Sequence, residues 1–244
     1  MILPLVLLHG YGEDSKVWDN IKAAFWPNTN LITPSYASRS DLTTIDAYAE
    51  AVHKDLQNQG ITKCIVIGHS MGGYVTLALA EKYPELIAGL GLFHSTAYAD
   101  SEEKKEIRKK NIVFIEKNGP EAFMQNFTKN LFSEDFSRER PDVIAEHIIH
   151  YSQLPPAALV AGMQAMIDRP DRRRVLEEAT YPVLFIIGKK DKAVSPEDAV
   201  EQTRLPQHSY LLILENVGHM GMVEAPQECI DEIQAFWQKV EREN

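Results

Sequence analysis

Apolar positions along the chain fall into two kinds of run. Short, nearly continuous aliphatic stretches occupy residues 3–8, 30–33, 63–67, 89–93, 183–187 and 211–214. Several are apolar at almost every position instead of alternating, as strands are when helices cover both faces of their sheet. Between them lie longer segments with helical spacing, among them residues 45–59 and 74–82. Strand and helix in alternation predict an α/β fold built on a mostly parallel, doubly wound sheet of about six strands.

The alternation stops between residues 97 and 180. Helical patterns follow one another there, over residues 102–118, 120–131, 141–152, 155–167 and 171–178. Gly119-Pro120, Pro141, Pro155-Pro156 and Pro170 mark the starts. A helical block between two core strands reads as an inserted cap. The expected organisation is a core of residues 1–96 and 181–244 with a helical cap over residues 97–180. The basic cluster Lys104-Lys105 and Arg108-Lys109-Lys110 is interleaved with Glu102, Glu103 and Glu106, which is the pattern of a solvated helix face.

A net charge of −10 over 244 residues argues against nucleic acid or an anionic membrane surface as a partner, since either calls for a basic face. Cys64 and Cys229 make neither a disulfide framework nor a metal-ligand pattern, and such sparse usage fits a reducing compartment. The apolar start, Met1 to Leu8, has no basic n-region and meets His9-Gly10 without a small-residue cleavage site, so it reads as a strand and not as a signal peptide. No stretch approaches the ~20 apolar residues of a membrane helix. The expectation is a soluble, cytoplasmic protein. No His/Asp/Glu cluster has metal spacing and no phosphate loop is present, so no cofactor is expected.

Gly68-His69-Ser70-Met71-Gly72-Gly73 follows one strand candidate and leads into a helical run. A turn this tight pushes the serine hydroxyl clear of the sheet, and the glycines on either side let backbone approach without a Cβ clash. The helix start then aims free N–H groups at the serine, with Met71 N–H placed to bind a developing oxyanion. Serine needs a base at neutral pH. His219, in Val217-Gly218-His219, and Asp191, in Gly188-Lys189-Lys190-Asp191, each follow a strand candidate. All three residues therefore fall at C-terminal strand ends, where open α/β sheets place their sites. Glu197 and Asp198 are nearer to Ser195-Pro196, a helix start whose dipole accounts for them.

These motifs, in the order Ser, Asp, His, resemble the α/β-hydrolase superfamily over nearly the whole chain. Within it the likeness is to the group of 3-oxoadipate enol-lactonases and small carboxylesterases, and it extends to Met166-Ile167-Asp168-Arg169-Pro170-Asp171-Arg172. The resemblance implies an α/β-hydrolase fold and a catalytic triad of Ser70, His219 and Asp191. By the match of His9-Gly10-Tyr11-Gly12 it makes Tyr11 N–H the second oxyanion donor. Two departures stand out. The first strand candidate leads into the oxyanion loop within eight residues, so the antiparallel strands common at the start of the superfamily's sheet are not expected. Pro34-Ser35-Tyr36-Ala37-Ser38-Arg39-Ser40 replaces the usual Asp-x-Arg-Gly-x-Gly-x-Ser, so the pocket wall is expected to differ.

The expected reaction is hydrolysis of a small-molecule ester or lactone through an acyl-enzyme on Ser70. Apolar cap positions (Phe114, Phe123, Met124, Phe127, Leu131, Met163, Met166) suggest a small or medium, mainly apolar substrate, although burial of the cap against the core explains the same residues. His94, ending one strand candidate, is a candidate substrate contact. His9 and His69 are expected to order backbone beside the serine, and His147, His150 and His208 to be surface or packing residues. Enol-lactonase, carbon–carbon bond hydrolase, thioesterase and cofactor-free haloperoxidase chemistry fit the same triad, and a non-catalytic ligand-binding protein is the reading from another class.

Overall fold

In the computed structural model, which describes residues 2–25 and 30–244, six strands form one all-parallel sheet in the order β2-β1-β3-β4-β5-β6. Met1 lies outside the described residues, as do residues 26–29. The strands are β1 (Leu5–Leu8), β2 (Leu31–Ile32), β3 (Cys64–His69), β4 (Ile87–Phe93), β5 (Val183–Gly188) and β6 (Ser209–Leu214). β1, β3, β4 and β5 are buried at every position, which explains their unbroken apolar sequence. β6 is an edge strand, and Leu211 on it is exposed.

Helices cover both faces. α1 (Asp19–Phe25) and α11 (Pro226–Glu243) pack on the face formed by Leu5, Leu7, Ile65 and Ile67. α2 (Ile45–Asn58) and α3 (Met71–Lys82) pack on the opposite face with Val6, Leu8, Cys64 and Val66. This is the period-two alternation of a strand dividing its side chains between two cores. The fold is the α/β-hydrolase fold expected from the motifs.

α4 (Glu102–Phe127), α5 (Glu134–Glu139), α6 (Pro141–Tyr151), α7 (Pro156–Ile167) and α8 (Arg173–Glu177) lie between β4 and β5. Gly119 interrupts α4 with φ 81° and ψ 172°, so the expected break before Pro120 is present. α5 has no counterpart among the helices expected from periodicity. The two ends of this helical segment are tied together. Arg169 Nη1 lies 2.8 Å from the buried Asp100 Oδ1, and Arg172 N–H donates to Ala97 O at 2.8 Å. Arg172 also pairs with Asp46 on α2 and Glu81 on α3. α9 (Pro196–Glu201) and α10 (Gly221–Glu224) complete the chain order. No described helix is long and apolar enough to cross a membrane.

The register aligns the strand ends that matter. Leu8 pairs with Gly68, His69 with Phe93, Phe93 with Ile186, and Gly188 with Leu214. The loops after β1, β3, β4, β5 and β6 therefore open on a single sheet edge. Strand order reverses between β1 and β3, and such a switch point leaves a crevice at the C-terminal edge.

Candidate active site

Ser70 sits between β3 and α3 with φ 51° and ψ −117°, a left-handed conformation that a serine adopts only under constraint. Three hydrogen bonds hold it. Its N–H donates to Phe93 O at 3.0 Å, and its carbonyl accepts from Gly73 N–H at 2.9 Å and from Ser95 Oγ at 2.7 Å. A Cβ at Gly68 would lie 2.2 Å from Gly72 O, and one at Gly72 would lie 2.4 Å from Leu8 O. Glycine is required at both positions for α3 to fold back over β3 and to touch the end of β1. The helix starts at Met71, earlier than the expected Tyr74, because the turn is complete at Ser70 and Gly72-Gly73 weakened the helical pattern there. As the first helical residue, Met71 has an N–H without an intrahelical acceptor.

His219 and Asp191 meet as expected from their loops. His219 Nδ1–H donates to Asp191 Oδ2 at 2.7 Å, and both side chains are 3% exposed. Asp191 Oδ1 accepts from the N–H groups of Ala193 at 2.8 Å and Val194 at 3.0 Å. Burial pushes the Asp191 carboxyl up, but the His219 charge and hydrogen bond, the His94 ring and the Val194 N–H together hold it below the usual carboxylate range. With Nδ1 committed to Asp191, the lone pair of a neutral His219 sits on Nε2. The loop carrying His219 lies beside the serine turn: His69 Nε2–H donates to His219 O at 2.9 Å, with the two ring centroids 4.9 Å apart.

The loop after β1 is braced from several sides. His9 Nδ1–H donates to Gly10 O at 2.9 Å, so Nε2 is free to accept Tyr36 N–H at 3.2 Å. The His9 and Tyr36 rings stack at 4.0 Å, and Tyr36 O–H donates to His9 O at 2.6 Å. The stretch that departs from the superfamily pattern, residues 34–40, thus packs against this loop. Tyr11 O–H reaches Leu159 O on α7 at 3.0 Å, and its ring stands edge-on to Phe123 and Phe127 of α4. Tyr11 and Met71 border one small cavity. Among the described residues no cluster of three or more His, Cys, Asp or Glu side chains could hold a metal ion.

Comparison with known proteins decides the family, since the Alpha/beta hydrolase family matches residues 5–232. The chain belongs to it. Lipase 1 of Psychrobacter immobilis is 26% identical over 96% of this chain and 76% of its own. A pimeloyl-[acyl-carrier protein] methyl ester esterase of Aromatoleum aromaticum is 27% identical over 92% of this chain and 94% of its own. A thermophilic esterase from Thermogutta terrifontis superposes with a TM-score of 0.92 at 27% identity, covering 98% of this chain and 90% of its own. The enol-lactonase from Burkholderia xenovorans shares the fold, with a TM-score of 0.89 at 20% identity over 98% of this chain and 92% of its own. This alpha/beta hydrolase therefore stands among proteins of esterase and lipase type.

The hydrolase places His94 differently from the expected substrate contact. Its ring is 1% exposed, with Gly188 N–H 3.1 Å from Nδ1 and Gly221 N–H 3.2 Å from Nε2. Nδ1 also lies 3.7 Å from Asp191 Oδ2. Burial pushes its pKa down to about 3, so the ring is neutral. His94 is a packed support behind the Asp191–His219 pair, with both ring nitrogens turned to backbone. Its φ of 47° is, among the described residues, the second positive value at a non-glycine position, a feature no sequence pattern announced.

Two carboxylates escaped the sequence reading. Glu224 accepts the N–H groups of Gly218 at 3.0 Å, Met220 at 3.2 Å and Ser133 at 2.9 Å, so it clamps the loop on both sides of His219. Glu13 is 2% exposed and lies against His69. The rivals to Asp191 stay at a helix start: Ser195 Oγ accepts Asp198 N–H at 3.2 Å and donates to Glu197 Oε2 at 3.0 Å.

Proposed function

We propose that this hydrolase cleaves a carboxylic ester or lactone of a small to medium, mainly apolar molecule through an acyl-enzyme on Ser70. The observation that carries the reading is a strained serine at a strand-to-helix turn, flanked by a buried histidine whose Nδ1–H is fixed on a buried carboxylate. In the reaction His219 Nε2 takes the Ser70 proton while Oγ attacks the carbonyl carbon. Asp191 keeps the imidazole in that tautomer and stabilises the imidazolium. The N–H groups of Met71 and Tyr11 receive the negative charge on the tetrahedral oxygen. His219 then protonates the leaving alkoxide, and water repeats the sequence on the acyl-enzyme to release the acid.

The helical segment, residues 97–180, acts in this reading as a cap over the C-terminal sheet edge. Tyr11, Phe123 and Phe127 support that role, since they form an aromatic cluster joining α4 to the loop that carries an oxyanion donor. The printed activities of the relatives, lipase and methyl ester esterase, favour an ester substrate. Two free, buried cysteines agree with a reducing, cytoplasmic location.

Side-by-side assay of p-nitrophenyl esters, lactones and acyl thioesters tests the reading, with Ser70→Ala as the control. Ester turnover should fall ~10⁴ to 10⁶-fold in the variant, with its circular dichroism unchanged. A variant that kept more than about a tenth of the wild-type rate would move the nucleophile elsewhere.

A further inference from the structure

Glu13 and His69 lie directly behind the candidate site, 2% and 1% exposed. Glu13 Oε2 is 2.9 Å from His69 Nδ1 and accepts Gly10 N–H at 3.0 Å. On the far side of the ring, His69 Nε2 meets His219 O at 2.9 Å. A carboxylate and a carbonyl only accept, so both ring nitrogens carry hydrogen and His69 is an imidazolium. Trp18 and Phe93 stand edge-on to the ring and keep water from it. The fit is close, since a Cβ at Gly10 would come within 2.7 Å of His69 Nδ1.

The electrostatics agree with that charge state. Burial pushes the Glu13 carboxyl up, but the His69 charge and hydrogen bond, with His147 and His9, bring it down to about 2. Burial pushes His69 down, but Glu13, the His219 carbonyl and Asp191 raise it above the ordinary histidine value. The charged and titratable groups around the pair are His9 and Asp14 on the β1 loop, His147 on α6, and His94, Asp191 and His219 on the loops after β4, β5 and β6.

We infer that the Glu13–His69 pair is a charged strut that positions the oxyanion loop and the His219 loop against Ser70. The proposal rests on the Ser70–His219 reading above. Three parts of the site meet on it: Gly10 precedes the Tyr11 donor, His69 precedes Ser70, and His219 gives its own carbonyl. Stability alone is a poor reason for such a pair, because well-packed apolar residues of similar volume often serve as well in a core. Fixed geometry is a better one, since a shift of about an ångström in a catalytic group costs on the order of 10²-fold in rate. Glu13 and His69 touch no reacting atom in this account and are positioning residues.

The experiment compares Glu13→Gln and Glu13→Ala with wild type on one p-nitrophenyl ester, together with imidazole ¹⁵N spectra. Glutamine keeps an acceptor for Gly10 and leaves His69 neutral; alanine removes the strut. Glu13→Ala should lose ~10²-fold in kcat with KM changed less than about threefold, and Glu13→Gln should lose ~10-fold. In wild type both His69 nitrogens should be protonated at pH 8, and in Glu13→Gln only one. If the alanine variant fails to fold, the glutamine variant carries the test. A kcat in folded Glu13→Gln within about twofold of wild type would overturn the positioning role, as would a wild-type His69 with one bare nitrogen. A wild type inert to esters and to fluorophosphonate would instead sink the Ser70 reading, while the spectra still decide the pair's charge.

Discussion

The same four strands, β3 to β6, are bounded by opposite kinds of surface at their two ends. Where they begin, a cavity of about 720 Å³ is lined by Lys63, Ile87, Pro182 and His208, with Arg174 and Glu178 at its side. Where they end stand Ser70, His94, Asp191 and His219. The first end is roomy, yet its charges face water: Arg174 and Glu178, paired at 2.7 Å, are 81% and 62% exposed. Solvent screens such pairs and leaves them mobile. At the other end Asp191 and His219 are 3% exposed, both Asp191 oxygens accept hydrogen bonds, and His219 Nδ1 is fixed on one of them. Low surrounding polarity makes those interactions strong and an unpartnered group costly, so the geometry is locked. The lesson is that space does not mark the chemistry of this fold. Buried titratable groups held by hydrogen bonds set the candidate site apart.

The largest expected effect lies at the C-terminal edge. Asp191→Asn should leave the fold intact, favour the wrong histidine tautomer, and lower ester turnover by up to ~10⁴-fold. Glu197→Gln and Asp198→Asn, at the exposed start of α9, should each cost less than about tenfold under the same conditions. Near-normal turnover in Asp191→Asn, with collapse in either neighbour, would reassign the acid.

A second contrast is in acid stability. The Glu13 carboxyl titrates at about 2 in the folded protein, against ~4.3 in an unfolded chain. The unfolded state therefore binds its proton first, and the stabilisation is complete above about pH 4.3 and lost as the pH falls towards 2. Asp191, also held low, adds to the same slope. Urea unfolding between pH 7 and pH 3 should show this loss in wild type and a shallower slope in Glu13→Gln, as estimated from the linkage relation at about these pH values. Parallel curves would show that folding leaves the Glu13 titration unshifted and would contradict the pairing with a charged His69.

The smallest effects belong to the N-terminal edge. Lys63→Ala and His208→Ala should change ester turnover by less than about twofold and stability by no more than ~0.5 kcal/mol. A large loss of turnover in either variant would break the contrast between the two ends.

What could be read from sequence, and what could not, divides along the same line. Gly68 to Gly73, Gly188 to Asp191 and Gly218-His219 each carry their meaning locally: a strand, a turn, and a polar residue at its tip. Such units survive in a linear reading, and the six strands with them. β2 shrinks to two residues because it lies at the sheet edge, where little packs against it. Glu13 looks like any loop acid until β3 and the β6 loop close over it, and Glu224 until Gly218, Met220 and Ser133 turn their N–H groups to it. His94 read as a pocket residue because strand ends usually are. Its ring is turned instead to the backbone of Gly188 and Gly221, residues far along the chain whose approach no local pattern encodes.

The central claim is that Ser70 is the nucleophile, and covalent labelling tests it most directly. The protein is treated with a fluorophosphonate, digested, and mapped by mass spectrometry, with Ser70→Ala and His219→Ala alongside. The account predicts a single adduct on the peptide containing Ser70, none in Ser70→Ala, and much slower labelling in His219→Ala. An adduct on another serine, such as the neighbouring Ser95 whose hydroxyl donates to Ser70 O, or unchanged labelling of Ser70→Ala, would contradict it.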